Sequence, residues 1–160
     1  MALTTVSREN PAVEPGTYEA GLRDVGRHLV VPGRIFFSLI FIFSGIGHFS
    51  REMIAYASQQ GLPMAGFLVP FTGALAVLGG FSILFGYRAR IGALLLIAFL
   101  VPVTLFMHNF WAVQDPVEAQ GQLIHFLKNI AMLGAACLIL YFGAGPTSFD
   151  EKMGYGSPTP

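Results

Sequence analysis

Charge is scarce in this sequence: of 160 residues, 11% are charged and 54% hydrophobic, whereas a soluble domain carries about 25% charged residues. Nine basic and nine acidic side chains cancel, which leaves no electrostatic footprint for nucleic acid or for an acidic substrate, so nucleic acid is excluded as a partner. Cysteine is nearly absent. The one thiol, Cys137, lies in an apolar run, which excludes an intrachain disulfide framework, a dithiol redox pair and a cysteine zinc cluster. Residues 1–31 contain no apolar run of signal-peptide length.

What remains is apolar and long. After a polar leader over 1–31, expected to be partly disordered and cytoplasmic, uncharged runs occupy residues 35–49, 66–87 and 91–110, and a fourth over 123–142 is broken only by His125 and Lys128. With Val30 and Val31 in front of the first, each approaches the ~20 residues needed to cross a hydrocarbon core of about 30 Å. The expected fold is all-α, an integral membrane four-helix bundle over 32–143 followed by a flexible cytoplasmic tail over 144–160. The lipid bilayer is its first partner. Between the first two runs, Met53, Ile54, Ala55, Tyr56 and Ala57 stand among polar positions before Gly61, and this stretch suits a short amphipathic helix on the membrane surface.

Small residues recur within the runs: Gly45 and Gly47, then Gly73, Ala76, Gly79 and Gly80, then Ala131, Gly134, Ala135 and Ala136. Lipid tails provide no hydrophobic drive for helices to associate, so such residues let backbones approach. They are equally compatible with a homo-oligomer.

The basic residues orient the bundle. Arg8, Arg23, Arg27 and Arg34 precede the first span, Arg88 and Arg90 fill the second loop and Lys152 lies in the tail, while the other loops hold only Arg51. Positive-inside logic then puts both termini in the cytoplasm. His48, His108 and His125, three of the four histidines, fall on the opposite, periplasmic face, with Asn109, Trp111, Asp115, Glu118, Gln122, Lys128 and Asn129. On the fourth span His125, Lys128, Asn129 and Met132 stand at i, i+3, i+4 and i+7, one stripe. An ammonium so placed either snorkels to the headgroups or faces the bundle and pairs with Asp115, Glu118 or a ligand oxygen. Pro102 removes one helical hydrogen bond below His108, a place for a kink and a cavity.

No HxxxH or ExxH pair puts two metal ligands on one helix, so no protein-bound metal is expected. A quinone head group suits the cluster better. It is planar and apolar, partitions into lipid, and needs donors such as His, Lys and Asn beside aromatic walls, here Phe106, Phe110, Trp111 and Phe126. In that reading Lys128 stabilises negative charge on a ligand oxygen, His108 or His125 delivers a proton, and Asp115 and Glu118 relay protons from the periplasm. The chain would then be a membrane subunit of a quinone-linked oxidoreductase, fed by a redox partner protein. A bundle that anchors or assembles another protein, without chemistry, is the alternative.

The segment from Arg34 with Ser44, Gly45 and His48, the second span with Gly73, Gly79, Gly80 and the turn through Arg90, and above all His108, Asn109, Phe110 and Trp111 followed by Gln122 and the run from Phe126 to Gly134, together resemble the DoxX family. The resemblance covers roughly residues 32–143. It implies a four-helix bacterial inner-membrane protein, with relatives that include a small subunit of thiosulfate:quinone oxidoreductase. It carries over His48, His108, Asn109, Lys128 and Asn129 as polar site positions, with His48 standing where many relatives have lysine.

The expected orientation is checked by reporter fusions. A fluorescent protein after Pro160 should fold and fluoresce, and alkaline phosphatase inserted at Asp115 should be active. The opposite pattern would invert the topology.

Overall fold

The computed structural model describes residues 15–155; residues 1–14 and 156–160, including the first half of the expected leader and the end of the expected tail, lie outside the described residues. Six α-helices follow one another: α1 (Pro15–Gly47), α2 (Arg51–Gln59), α3 (Ala65–Phe85), α4 (Ala89–Met107), α5 (Pro116–Phe142) and α6 (Phe149–Lys152), with a 3-10 turn at Phe110–Ala112 before α5. Among the described residues four helices are long and apolar enough to cross a membrane: Ala20–Gly47, Ala65–Phe85, Ala89–Ala112 and Pro116–Phe142.

The first helix starts earlier than expected. Pro15 sits at its first position, where a missing N–H costs nothing, and the helix continues through Pro32. The carbonyl that Pro32 leaves unbonded belongs to His28, an exposed residue, and water or headgroups satisfy it. With 33 residues, α1 is about 50 Å long at 1.5 Å per residue, so its polar first turns, with Asp24, Arg27 and His28, extend beyond a hydrocarbon core. The part of the expected leader from Pro15 onward is therefore helical.

α1 packs on α3, α3 on α4 and α4 on α5, whereas α1 and α5 are not packed along their lengths. Glycine sets the two closest crossings. A Cβ on Gly45 would come within 2.8 Å of the Gly73 carbonyl oxygen, and one on Gly73 within 2.8 Å of the Gly45 carbonyl oxygen. Between α3 and α4, a Cβ on Gly79 would lie 2.9 Å from the Gly92 carbonyl oxygen. Ala76 and Ala136 are fully buried at helix contacts, but Gly47 and Gly134 meet nothing within 4 Å. The core of Phe41, Ile83, Leu96, Phe99 and Leu100 fills the space between α1, α3 and α4, with Met132 and Leu133 of α5 against it. α2, capped by the Ser50 side chain, lies across the start of α3, where Ala57 packs with Ala65 and Val69.

Residues 144–155, expected to be a flexible tail, are instead stitched to the end of the bundle where α3 turns into α4. Gly86 ends α3 in the left-handed conformation (φ 63°), and Arg88 follows at φ 51°. The Asp150 carboxylate accepts from the Arg88 and Ala89 backbone N–H groups at 2.7 and 2.9 Å, capping α4, while the Asp150 N–H donates to the Gly86 carbonyl at 2.7 Å. The Arg34 guanidinium donates to the carbonyls of Ala144 (3.2 Å) and Thr147 (2.7 Å), and Arg90 donates to Tyr141 (3.1 Å). Two cations thus serve carbonyls at and beyond the C-terminus of α5, where the helix dipole favours positive charge. A tail this polar is ordered because it satisfies backbone groups that the bundle leaves open.

Asp150→Ala removes a cap and leaves two N–H groups of α4 unpaired, and should cost about 1–2 kcal/mol. Gly86→Ala should cost more, since the new methyl enters a left-handed position already filled by Arg34 and Ser148 side-chain atoms. Thermal unfolding in detergent checks both, and an unchanged midpoint in Asp150→Ala would show that the tail does not hold α4.

Candidate functional site

At the opposite end of the bundle from this knot, the gap between α1 and α5 is a cavity of about 520 Å³, within the range of roughly 300–1,000 Å³ typical of small-molecule sites. Its wall is mostly apolar. Ile40 and Phe41 of α1, Val69 and Leu75 of α3, Phe99, Val103 and Phe106 of α4, and Met132 of α5 form the sides, and Met53, Tyr56 and Leu62 of α2 and its following loop close over it. Pro102 and Ala98 are part of the wall, so the cavity does lie beside the helical bond that Pro102 deletes.

The polar groups enter from two sides. From α1, Ser44 and His48 line the cavity. The His48 Nδ1 is 2.7 Å from the Ser44 carbonyl oxygen, and its ring meets the edge of Phe99 with centroids 5.5 Å apart. From α4 and α5 come His108, His125, Lys128 and Asn129. His108 and His125 stack with centroids 5.2 Å apart and planes 25° from parallel. The His108 Nδ1 is 2.8 Å from Gln122 Oε1, and the Lys128 ammonium is 3.2 Å from the His125 Nδ1, to which it donates.

Asn129 differs from its neighbours on the stripe. Lys128 and His125 are exposed at the cavity mouth, but Asn129 is only 6% exposed, and no hydrogen bond joins its amide to another described residue. Its amide atoms are not themselves fully enclosed: the surface they keep belongs to the cavity that Asn129 lines.

Five of the residues singled out from sequence, His48, His108, His125, Lys128 and Asn129, line this one cavity. Asn109 and Trp111 stand outside it. Asn109 opens the 3-10 turn, and Trp111 packs edge-on against Phe110 and Phe126, at 5.1 and 5.9 Å between centroids. Asp115 is also engaged elsewhere: it caps α5, accepting from Val117 and Glu118 N–H groups at 3.0 and 2.8 Å. No ion pair links Lys128 to Asp115 or Glu118 among the described residues; its bonded partner is His125. Thr104, at helical spacing from His108, is buried away from the cavity. Tyr56, Thr72 and Phe99 line the cavity without having been singled out. Only the amphipathic reading of residues 53–57 hinted at Tyr56.

Among the described residues no three His, Cys, Asp or Glu side chains are gathered as they would be around a metal ion. The site gathers hydrogen-bond donors and acceptors, one cation and aromatic walls around one cavity.

Residues 29–109 match the DoxX family. The chain is 30% identical over 132 residues to the "Inner membrane protein YqjF" of Escherichia coli (strain K12), covering 82% of this chain and 95% of that one. It is 28% identical over 130 residues to the "Inner membrane protein YphA" of the same organism, covering 78% and 89%. No solved structure matches the chain.

Proposed function

The chain belongs to the DoxX family, and we propose that it works in the bacterial inner membrane as a binding subunit for quinone or a similar planar apolar ligand bearing oxygens. The observation that carries this reading is Asn129, an amide buried to 6% exposure without a protein partner, lining an otherwise apolar cavity beside Lys128, His125 and His48. Its amide borders the cavity without a protein partner, and a ligand oxygen at this position would accept a hydrogen bond from it.

The donor set fits the group. Aliphatic and aromatic walls accept a ring and the start of an isoprenoid tail, and the side between α1 and α5 is where such a tail leaves into lipid. A bound quinone supplies two-electron, two-proton chemistry. The chain's part is to bind and orient. The Lys128 ammonium, already held by His125, supports negative charge at a ligand oxygen in a low-dielectric setting, where that interaction is strongest. His125 holds a proton at Nε2 because its Nδ1 accepts from Lys128. His108, stacked on His125 and anchored by Gln122, offers the next imidazole toward the membrane surface. Asp115 is tied up as a helix cap, so protons reach the histidines through Glu118 or directly from water. Electrons come from a partner protein, the lone thiol Cys137 forming no dithiol.

Protein purified from its own membranes in mild detergent should carry quinone at close to one per chain, seen by native mass spectrometry and by its ultraviolet band. Asn129→Leu should weaken retention several-fold and Lys128→Ala roughly tenfold or more, in keeping with the loss of a neutral and of a charged hydrogen bond. An empty cavity together with a stoichiometric partner subunit would overturn the reading in favour of a membrane anchor.

A further inference from the structure

The polar groups around the cavity differ in what they can offer, and the difference separates α1 from α5. A backbone carbonyl only accepts, so the 2.7 Å contact between His48 Nδ1 and the Ser44 carbonyl oxygen puts the hydrogen on Nδ1. In the neutral ring Nε2 is then a lone pair. The Gln122 amide opposite His108 can be turned to present either its oxygen or its nitrogen, but a carbonyl has no such freedom, so the His48 tautomer is fixed. The ring is also held in place. Phe99 meets it edge-on, and Gly73 lies so close that a Cβ there would come within 2.6 Å of the His48 Cβ.

Across the cavity the pattern reverses. The Lys128 ammonium donates to His125 Nδ1, which leaves its other N–H groups and the His125 Nε2–H as donors. Asn129 adds an amide. A molecule whose oxygens reach from α1 to α5 therefore meets an acceptor at one end and donors at the other. Both oxygens of an oxidised quinone are acceptors, and the one beside His48 would set lone pair against lone pair. A hydroquinone has a hydroxyl at each end, one to donate to His48 and one to accept from Lys128 or Asn129.

Resting on the quinone reading above, we infer that the cavity selects the reduced, hydroxyl-bearing form of its ligand, and that His48 Nε2 makes the selection by accepting a hydrogen bond from the ligand hydroxyl. His48 is thus a specificity-determining residue at the end of α1, distinct from the α5 groups that hold the other oxygen.

The test is direct binding of decylubiquinone and of its hydroquinone, measured anaerobically at a pH of about 8, where an unperturbed imidazole is neutral, on the full chain in lipid nanodiscs. The wild-type protein should bind the hydroquinone about tenfold more tightly, the scale of one hydrogen bond made against one refused. His48→Phe, which keeps a ring against Phe99 but has no acceptor, should bring the ratio close to one by weakening hydroquinone binding. His48→Leu serves as a second apolar replacement if the first does not fold. Equal affinity in the wild type, tighter binding of the quinone, or a preference that survives both substitutions would overturn the inference and leave the cavity reading standing. Binding of neither form would remove both.

Discussion

The bundle depends on the backbone approach of α1 to α3 at Gly45 and Gly73. Inside a bilayer there is no hydrophobic drive for two apolar helices to associate, so the contact must come from close packing, and at this crossing each glycine lies against the other's carbonyl oxygen. The same crossing decides the site. Gly73 lies against the His48 Cβ, so the approach that joins the two helices also holds the imidazole in the cavity wall. Gly79 and Gly92 repeat the device between α3 and α4, and the three helices become one packed layer that leaves α5 attached by a single side.

That one-sided attachment divides the molecule into a locked end and an open one. At the locked end, Arg34, Arg90 and Asp150 place charge on carbonyl and N–H groups at helix termini that no intrahelical bond satisfies. At the open end, α1 and α5 part, α2 closes over the gap, and polar side chains of both line a mostly apolar cavity. The cavity depends on this contrast. The ends of α1 and α5 are fixed relative to one another by the knot, so the far ends can stand apart without the bundle losing its register.

Much of this was legible in the sequence, for particular reasons. The four spans follow from run length, and the gathering of His48, His108, His125, Lys128 and Asn129 follows from counting membrane crossings and from the 3.6-residue stripe on α5. The roles of Asp115 and Trp111 did not follow. An aspartate before a proline is as good a helix cap as a proton relay, and an interfacial tryptophan packs on phenylalanine as readily as on a ligand. Gly86 and Gly92 were passed over because one is a turn residue and the other a contact residue only by virtue of neighbours distant in the chain. The tail was misjudged for the same reason: Asp150 looks like an ordinary surface charge until the Arg88 and Ala89 N–H groups are beside it.

The sequence by itself determined that this chain crosses a membrane with four helices and that its chemistry-bearing side chains lie at one end, because hydropathy and helical periodicity are local properties that no packing arrangement can reverse. Only the tertiary structure decided which of those side chains share a cavity, which are used up as caps, and which, like Asn129, are left without a partner. Those outcomes depend on distances between residues on different helices, set by where glycine lets two backbones meet and by where α1 and α5 fail to.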